Sequence, residues 1–188
     1  EQRRELARRE REASEAELRQ ELARREREAF EAAAEQIREA VRADPALAEL
    51  TRQLLIEQTP EGMRIQLVDA ERQPMFALGG AAPNDRARAL LQRVAQVIQR
   101  LPNAISIAGH TDSTPFRGGG ERSNWDLSTE RANVTRRLLI DAGVADGRIR
   151  NLAGHAERDL LLPDQPTAAA NRRVSITLIR QAPETPRP

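Results

Sequence analysis

Apolar positions along this chain change their spacing several times, and each change marks an element. In residues 1–43 they are sparse: Leu6, Ala13, Leu18, Leu22, Ala29, Phe30, Ile37 and Val41 form a thin stripe among Glu and Arg. Neither Gly nor Pro interrupts that segment, and Ala, Glu and Arg all favour helix. The stretch E-L-A-R-R-E-R-E-A occurs twice, at 5–13 and 21–29. Glu5/Arg9, Glu15/Arg19 and Glu21/Arg25 are each spaced four apart, an arrangement that stabilises a helix by about 0.2–0.5 kcal/mol per pair. The pattern predicts a long charged helix, read as a solvated spacer. A weak two-stranded coiled coil with its seam at Leu22, Phe30, Ile37 and Val41 is the alternative. Asp44-Pro45 suits a helix start, which predicts a second helix to about Gln53 and a hinge near Ala43–Asp44.

Shorter periods come next. Leu54–Gln58 and Met63–Val68 flank Thr59-Pro60-Glu61-Gly62, a strong turn signal, and predict a β-hairpin. In its second strand Met63, Ile65 and Leu67 alternate with Arg64, Gln66 and Val68, as in a half-buried strand. Residues 69–83 read as a loop anchored by Met75-Phe76. Ala87, Leu90, Leu91, Val94, Ile98 and Leu101 then recur at helical spacing, starting near Asn84 or Asp85 and stopped by Pro102-Asn103. A strand at 104–108 turns Ile105 and Ile107 to one face. The next helix, capped by Asp126 or Ser128, points Val134, Leu138 and Leu139 inward and ends at Gly143. A strand at 149–153, with Ile149, Asn151 and Ala153 on one side, a long loop to Ala170, and a strand at 172–179 complete the pattern. Strands joined through helices predict an α+β sandwich: a mixed sheet with helices on one face, behind the long N-terminal helix.

Composition narrows the functions open to such a chain. Its 188 residues suffice for one domain plus an extension. A net charge of +1, without a clustered basic excess, argues against nucleic acid as a partner. The absence of cysteine excludes disulfides, thiolate metal sites and a Cys nucleophile. No run approaches the length of apolar sequence needed to cross a bilayer. The chain begins with Glu1 rather than Met, which suggests a fragment. No G-x-G-x-x-G comes after a strand, so a dinucleotide cofactor is not expected, and no other cofactor is implied.

The candidate chemistry lies between Ala104 and Arg131. A strand runs into a polar, glycine-rich loop carrying Thr111 and Asp112, and the loop ends at a helix beginning near Asn124. An acid after a strand and Arg131, placed in the first turn of that helix, could read the two ends of a zwitterion: Asp112 takes an ammonium and Arg131 a carboxylate. Asn171-Arg172-Arg173 opens the last strand, where alternation sends the two arginines to opposite faces. His110, Asp112 and His155 offer a metal or hydrolase reading with Ser113 as nucleophile, but no third strong ligand has a matching spacing and no nucleophile elbow is present.

G-H-T-D at 109–112, N-x-x-L-S at 124–128, R-A at 131–132, G-V at 143–144 and A-N-R-R-V at 170–174 together resemble the OmpA-like peptidoglycan-binding domain over residues 84–180. Within that superfamily, S-N-W-D-L-S at 123–128 and I-E-Q-T-P-E-G-M-R-I-Q-L-V-D at 56–69 look like the MotB family of flagellar motor stators. The resemblance implies a non-catalytic peptidoglycan-binding anchor in the bacterial periplasm. Its pocket would comprise Thr111, Asp112, Asn124, Leu127, Arg131 and Arg172. It also implies an inner-membrane anchor by an N-terminal transmembrane helix missing from this chain, a MotA partner reached through that helix, and a homodimer. A cell-envelope tether of the Pal or OmpA kind, without motor function, is the alternative. The chain then divides into a charged helical linker (1–43), a helix and β-hairpin region (44–83), the family domain (84–180) and a disordered tail (181–188). The linker departs from a flexible tether, and His155 stands where relatives commonly carry an aromatic.

Overall fold

The computed structural model describes residues 2–77, 79–117 and 120–182; the expected disordered tail lies outside them from residue 183 onward. In chain order the main elements are α1 (Gln2–Ala43), β1 (Leu54–Thr59), β2 (Gly62–Val68), α2 (Asp85–Ile98), β3 (Ile105–His110), α3 (Asn124–Asp141), β4 (Ile149–Gly154) and β5 (Arg173–Ile179). The strands form one sheet in the order β1-β2-β5-β3-β4. Only β3–β4 is parallel, so the sheet is mixed, as expected. The hairpin register pairs Leu54 with Leu67 and Thr59 with Gly62.

Strand alternation builds the core. Met63, Ile65 and Leu67 on β2, Val174, Ile176 and Leu178 on β5, and Ile105 and Ile107 on β3 are all buried and share one hydrophobic cluster with all three helices. From α2 come Ala87, Leu90, Leu91, Val94 and Ile98. Its cap is Asn84, whose side chain accepts from Ala87 N.

The first correction concerns α1. Its N-terminal half is exposed as the spacer reading requires: Leu6 and Leu18 are each 59% exposed and Leu22 47%. The second half is core. Phe30, Ile37 and Val41 are 0% exposed, with Ala33 and Ala34 beside them. Those positions form a helical stripe, and the stripe that looked too thin to hold a partner chain instead holds its own domain. Polar contacts reinforce the docking. Arg38 donates to Ile56 O (3.3 Å), Gln58 to Arg27 O (3.3 Å), and the Glu26 carboxylate accepts from Asn103 (3.0 Å) and from Gln181 N (2.9 Å). Arg180 lies over the Phe30 ring at 5.7 Å. The Glu–Arg pairs read from the sequence are present: Glu5–Arg9 at 2.8 Å, Glu15–Arg19 at 3.7 Å and Glu21–Arg25 at 2.7 Å.

Residues 44–53 correct the sequence reading again. The helix does break there, with Asp44 Oδ1 accepting from Ala46 N, but the chain continues as a turn and a 3₁₀ helix at 48–53 instead of a second α-helix. Leu47, Leu50 and Gln53 are all buried. Their spacing of three stacks them on one side of a three-residue-per-turn helix, which an α-helix would have splayed apart.

On β2 the second face is more enclosed than a half-buried strand requires. Gln66 and Val68 are buried because Arg173 and the loop after β4 close over that end of the sheet: Arg173 Nε donates to Gln66 Oε1 and Nη2 to Asp159 O, both at 2.9 Å. On β4 the expected alternation fails. A register irregularity between Ile105 and Ser106 pairs them with Ile149 and Asn151, so Ile149 and Leu152 pack on the core while Asn151 is exposed.

Candidate functional site

The carboxyl end of β3 and the amino end of β5 are neighbours, since His110 pairs with Arg173 across the ladder. The segment that leaves one strand therefore faces the residue that enters the other. Arg172 Nη1 donates to Asp112 Oδ2 at 2.7 Å. The same guanidinium reaches Asp69, at the end of β2, with Nε 2.8 Å from Oδ2. One arginine thus bridges two carboxylates from two different strand ends. Burial alone lowers the Arg172 pKa, but its hydrogen bonds to Asp69 and Asp112 outweigh it and raise the pKa above its ordinary value.

Asp69 is the residue that the sequence reading missed. It is 4% exposed and accepts from Met75 N (2.6 Å) and Ala70 N (3.1 Å), fixing the loop that carries Met75 and Phe76. The available signal was its place at the end of a strand, in the stretch Q-L-V-D, opposite the N-R-R run.

Asp112 keeps capacity for a ligand. Its Oδ1 accepts from Thr114 N (2.8 Å) and its Oδ2 from Arg172, while an ionised carboxylate has about four acceptor positions. Thr111 supports it from behind: its N–H donates to Ala156 O (3.0 Å) and its hydroxyl to Asp112 O (2.9 Å). Asn124 closes the loop by donating to Thr114 O (3.0 Å) and to Glu157 (3.4 Å). Leu127 is buried, 5% exposed, on the inner side of α3.

Arg131 is not where the sequence reading put it. The helix starts at Asn124, capped by Ser123 in a reciprocal capping box with Asp126, rather than by Asp126 or Ser128 acting alone. Arg131 therefore lies two turns in, away from the free amides of the helix start, rather than in the first turn as expected. It is 1% exposed, its Nε and Nη2 donate to Gly80 O (3.2 and 3.1 Å), and its Nη1 donates to His110 O (3.0 Å). The Phe76 ring covers its other side at 4.8 Å. Burial pushes its pKa down to about 10, with Asp69 and Asp112 opposing. Arg172 is the more accessible cation of the pair, with 26% of its side chain exposed.

The motif glycines are explained by close packing. A Cβ on Gly109 would lie 1.9 Å from Ser128 O, and one on Gly154 2.2 Å from Thr129 Oγ1. Glycine at both strand ends lets α3 lie directly on β3 and β4, which brings Asn124 to the loop of Asp112.

The two histidines stack, centroids 5.0 Å apart and planes 15° off parallel. His110 is 3% exposed, and burial first, then Arg173 and His155, lowers its pKa to about 3. Parallel stacked rings do not converge on a common ion. Among the described residues no group of three or more His, Asp or Glu is arranged to hold a metal.

The structure is thus a mixed-sheet α+β sandwich with a buried charge network, Asp69–Arg172–Asp112, at the adjoining ends of β2, β3 and β5. The chain belongs to the OmpA family, whose profile matches residues 75–173. It is 37% identical over 147 residues to Motility protein B of Escherichia coli K12, covering 78% of this chain and 48% of that protein, so it spans about half the relative's length. Its fold resembles a MotB-like protein from Desulfovibrio vulgaris (TM-score 0.70, 21% identity, 87% of this chain and 99% of that one). It also resembles the periplasmic domain of Helicobacter pylori MotB (TM-score 0.58, 24% identity, 68% of this chain and 89% of that one). Among the described residues no helix is long and apolar enough to cross a membrane.

Proposed function

We propose that this domain is a peptidoglycan-binding anchor that fixes a flagellar motor stator to the cell wall. The observation that carries the reading is the Asp112–Arg172–Asp69 network, in which Arg172 keeps 26% of its side chain exposed above two buried carboxylates. A stem peptide of the wall offers free ammonium and carboxylate groups on one diamino-acid residue. Asp112 has acceptor positions left for the ammonium, and Arg172 uses only two of its five donors on Asp69 and Asp112, leaving others for a carboxylate. Arg131 works from behind, tying the loop at Gly80 to the end of β3 so that both strand ends keep their spacing. Thr111 and Asn124 hold the Asp112 loop through hydrogen bonds, and the buried Leu127 completes the proposed pocket.

The similarity to Motility protein B supports the motor context. In that context the domain sits in the periplasm, as a homodimer, belonging to a longer protein held in the inner membrane by an N-terminal helix that packs against MotA. The test is co-sedimentation with insoluble peptidoglycan sacculi. Wild type is expected to pellet and Asp112→Asn to stay in solution with an unchanged circular dichroism spectrum. Equal pelleting of both would refute the pocket. Release of soluble fragments on incubation would refute a purely binding role.

A further inference from the structure

The chain has one tryptophan and three phenylalanines. Phe30 and Phe76 are buried in the core, and Phe116 lies under Arg122 at 5.6 Å. Trp125 is instead 48% exposed, in the first turn of α3. That position is tied to Asp112 by a continuous path of hydrogen bonds. Asp112 accepts from Thr114 N, Thr114 O accepts from Asn124, and Asn124 is followed by Trp125. The backbone beneath the ring is firmly held: Ser123 Oγ accepts from Trp125 N (3.3 Å), and Trp125 O accepts from the hydroxyls of Ser128 (3.0 Å) and Thr129 (2.8 Å).

A single exposed apolar side chain is ordinary on a protein surface. Two observations set this one apart. The Arg158 guanidinium lies over the indole, 5.5 Å from its centre, so the ring is buttressed by a cation. Its exposed sequence neighbours among the described residues, Glu121, Arg122, Asp126, Thr129 and Glu130, are all polar, unlike the apolar centre of a protein–protein contact.

We propose that Trp125 is a stacking platform for a sugar ring of the wall glycan, a subsite beside the stem-peptide pocket that rests on the peptidoglycan reading of that pocket. A pyranose presents one face of C–H bonds with slight positive character, which suits the negative face of an indole. Its hydroxyl and acetamido groups at the ring edge meet donors on Arg158 and acceptors on the neighbouring carboxylates. In the wall polymer the stem peptide branches from the glycan, so a charged pocket and a flat aromatic set side by side match the two parts of one ligand. The charged pair holds the peptide end, and the indole selects for a sugar at its branch point.

The lone tryptophan is its own reporter. The full chain is titrated with a peptide-free N-acetylglucosamine–N-acetylmuramic acid disaccharide and, separately, with free stem peptide, while indole emission is followed. Sacculus sedimentation is measured for wild type, Trp125→Ala and Trp125→Phe, with light scattering on each. The disaccharide is expected to change the emission. Trp125→Ala is expected to weaken sacculus binding about three- to tenfold, the range for one aromatic stacking contact, and Trp125→Phe to restore most of it. If wild type binds sacculi while Trp125→Ala binds equally well, or while the disaccharide leaves emission unchanged, the sugar platform is refuted and the peptide pocket stands. If wild type binds neither sacculi nor disaccharide, both readings fall. A change in the oligomer mass of Trp125→Ala with unaltered sacculus binding would make the ring a protein contact and overturn the proposal.

Discussion

Truncating Phe30 to alanine tests where the spacer ends and the domain begins. The side chain is 0% exposed, packed in the shared core and faced by Arg180 at 5.7 Å. Phe-to-Ala changes in a packed core cost about 3–5 kcal/mol, from lost burial and the cavity left behind. A domain of this size is stable by about 5–15 kcal/mol, so one such change removes a large share. Leu18→Ala, at a residue 59% exposed on the same helix, should stay within about 0.5 kcal/mol. Deleting residues 1–21 should likewise leave the domain's stability unchanged. Deleting 1–43 removes Phe30, Ile37 and Val41 together, at about 2–5 kcal/mol each, and should leave a chain that does not fold cooperatively. The assay is urea unfolding followed by circular dichroism and by emission from Trp125. The independent-spacer reading predicts two separate transitions, the first sensitive to salt. The structure predicts one main transition that includes the second half of α1, with salt affecting only the exposed half, whose ion pairs are solvated. A 1–43 deletion with an unchanged urea midpoint, or a Phe30→Ala cost below about 1 kcal/mol, would refute the reasoning.

The same geometry sets three further outcomes. Gly109→Ala should destabilise by about 1–3 kcal/mol or more, because its Cβ would lie 1.9 Å from Ser128 O and force α3 off β3; thermal melting reads this directly. Arg131→Ala should lower stability as well as binding, since it strands the carbonyls of Gly80 and His110 at about 1–3 kcal/mol per unsatisfied group, whereas Asp112→Asn should cost about tenfold or more in sacculus binding with the fold retained. Equal stability of the two variants would contradict this division of roles. His110 has a folded pKa of about 3 against an ordinary 6.5, so the unfolded chain takes up a proton that the folded one refuses. Its stabilising contribution is complete above that ordinary value and is lost as pH falls toward 3; from pH 7 to 5 the loss is about 2 kcal/mol. Urea unfolding at the two pH values should show this drop in wild type and lack it in His110→Leu.

Local pattern determined much of this molecule. The hairpin at Thr59–Gly62, the apolar face of α2 and the alternation on β2, β3 and β5 were legible because each depends on neighbours a few residues away. The family was legible because short motifs carry it. Tertiary structure decided the rest. Helical spacing at Phe30, Ile37 and Val41 shows that a stripe must be buried, but not whether a second chain or the chain's own sheet buries it. The same holds at Leu47, Leu50 and Gln53, where a 3₁₀ helix rather than an α-helix brings all three into the core. Asp69 and Asp112 stand 43 positions apart (112 − 69) and meet only because the sheet order sets the ends of β2, β5 and β3 side by side around Arg172. The depth of Arg131 depended on a cap at Ser123, a shift of a few residues that a one-dimensional pattern leaves open. Such a shift moves an arginine from the helix mouth to a buried position two turns in, because each residue advances the helix by about 1.5 Å and rotates its side chain by about 100°.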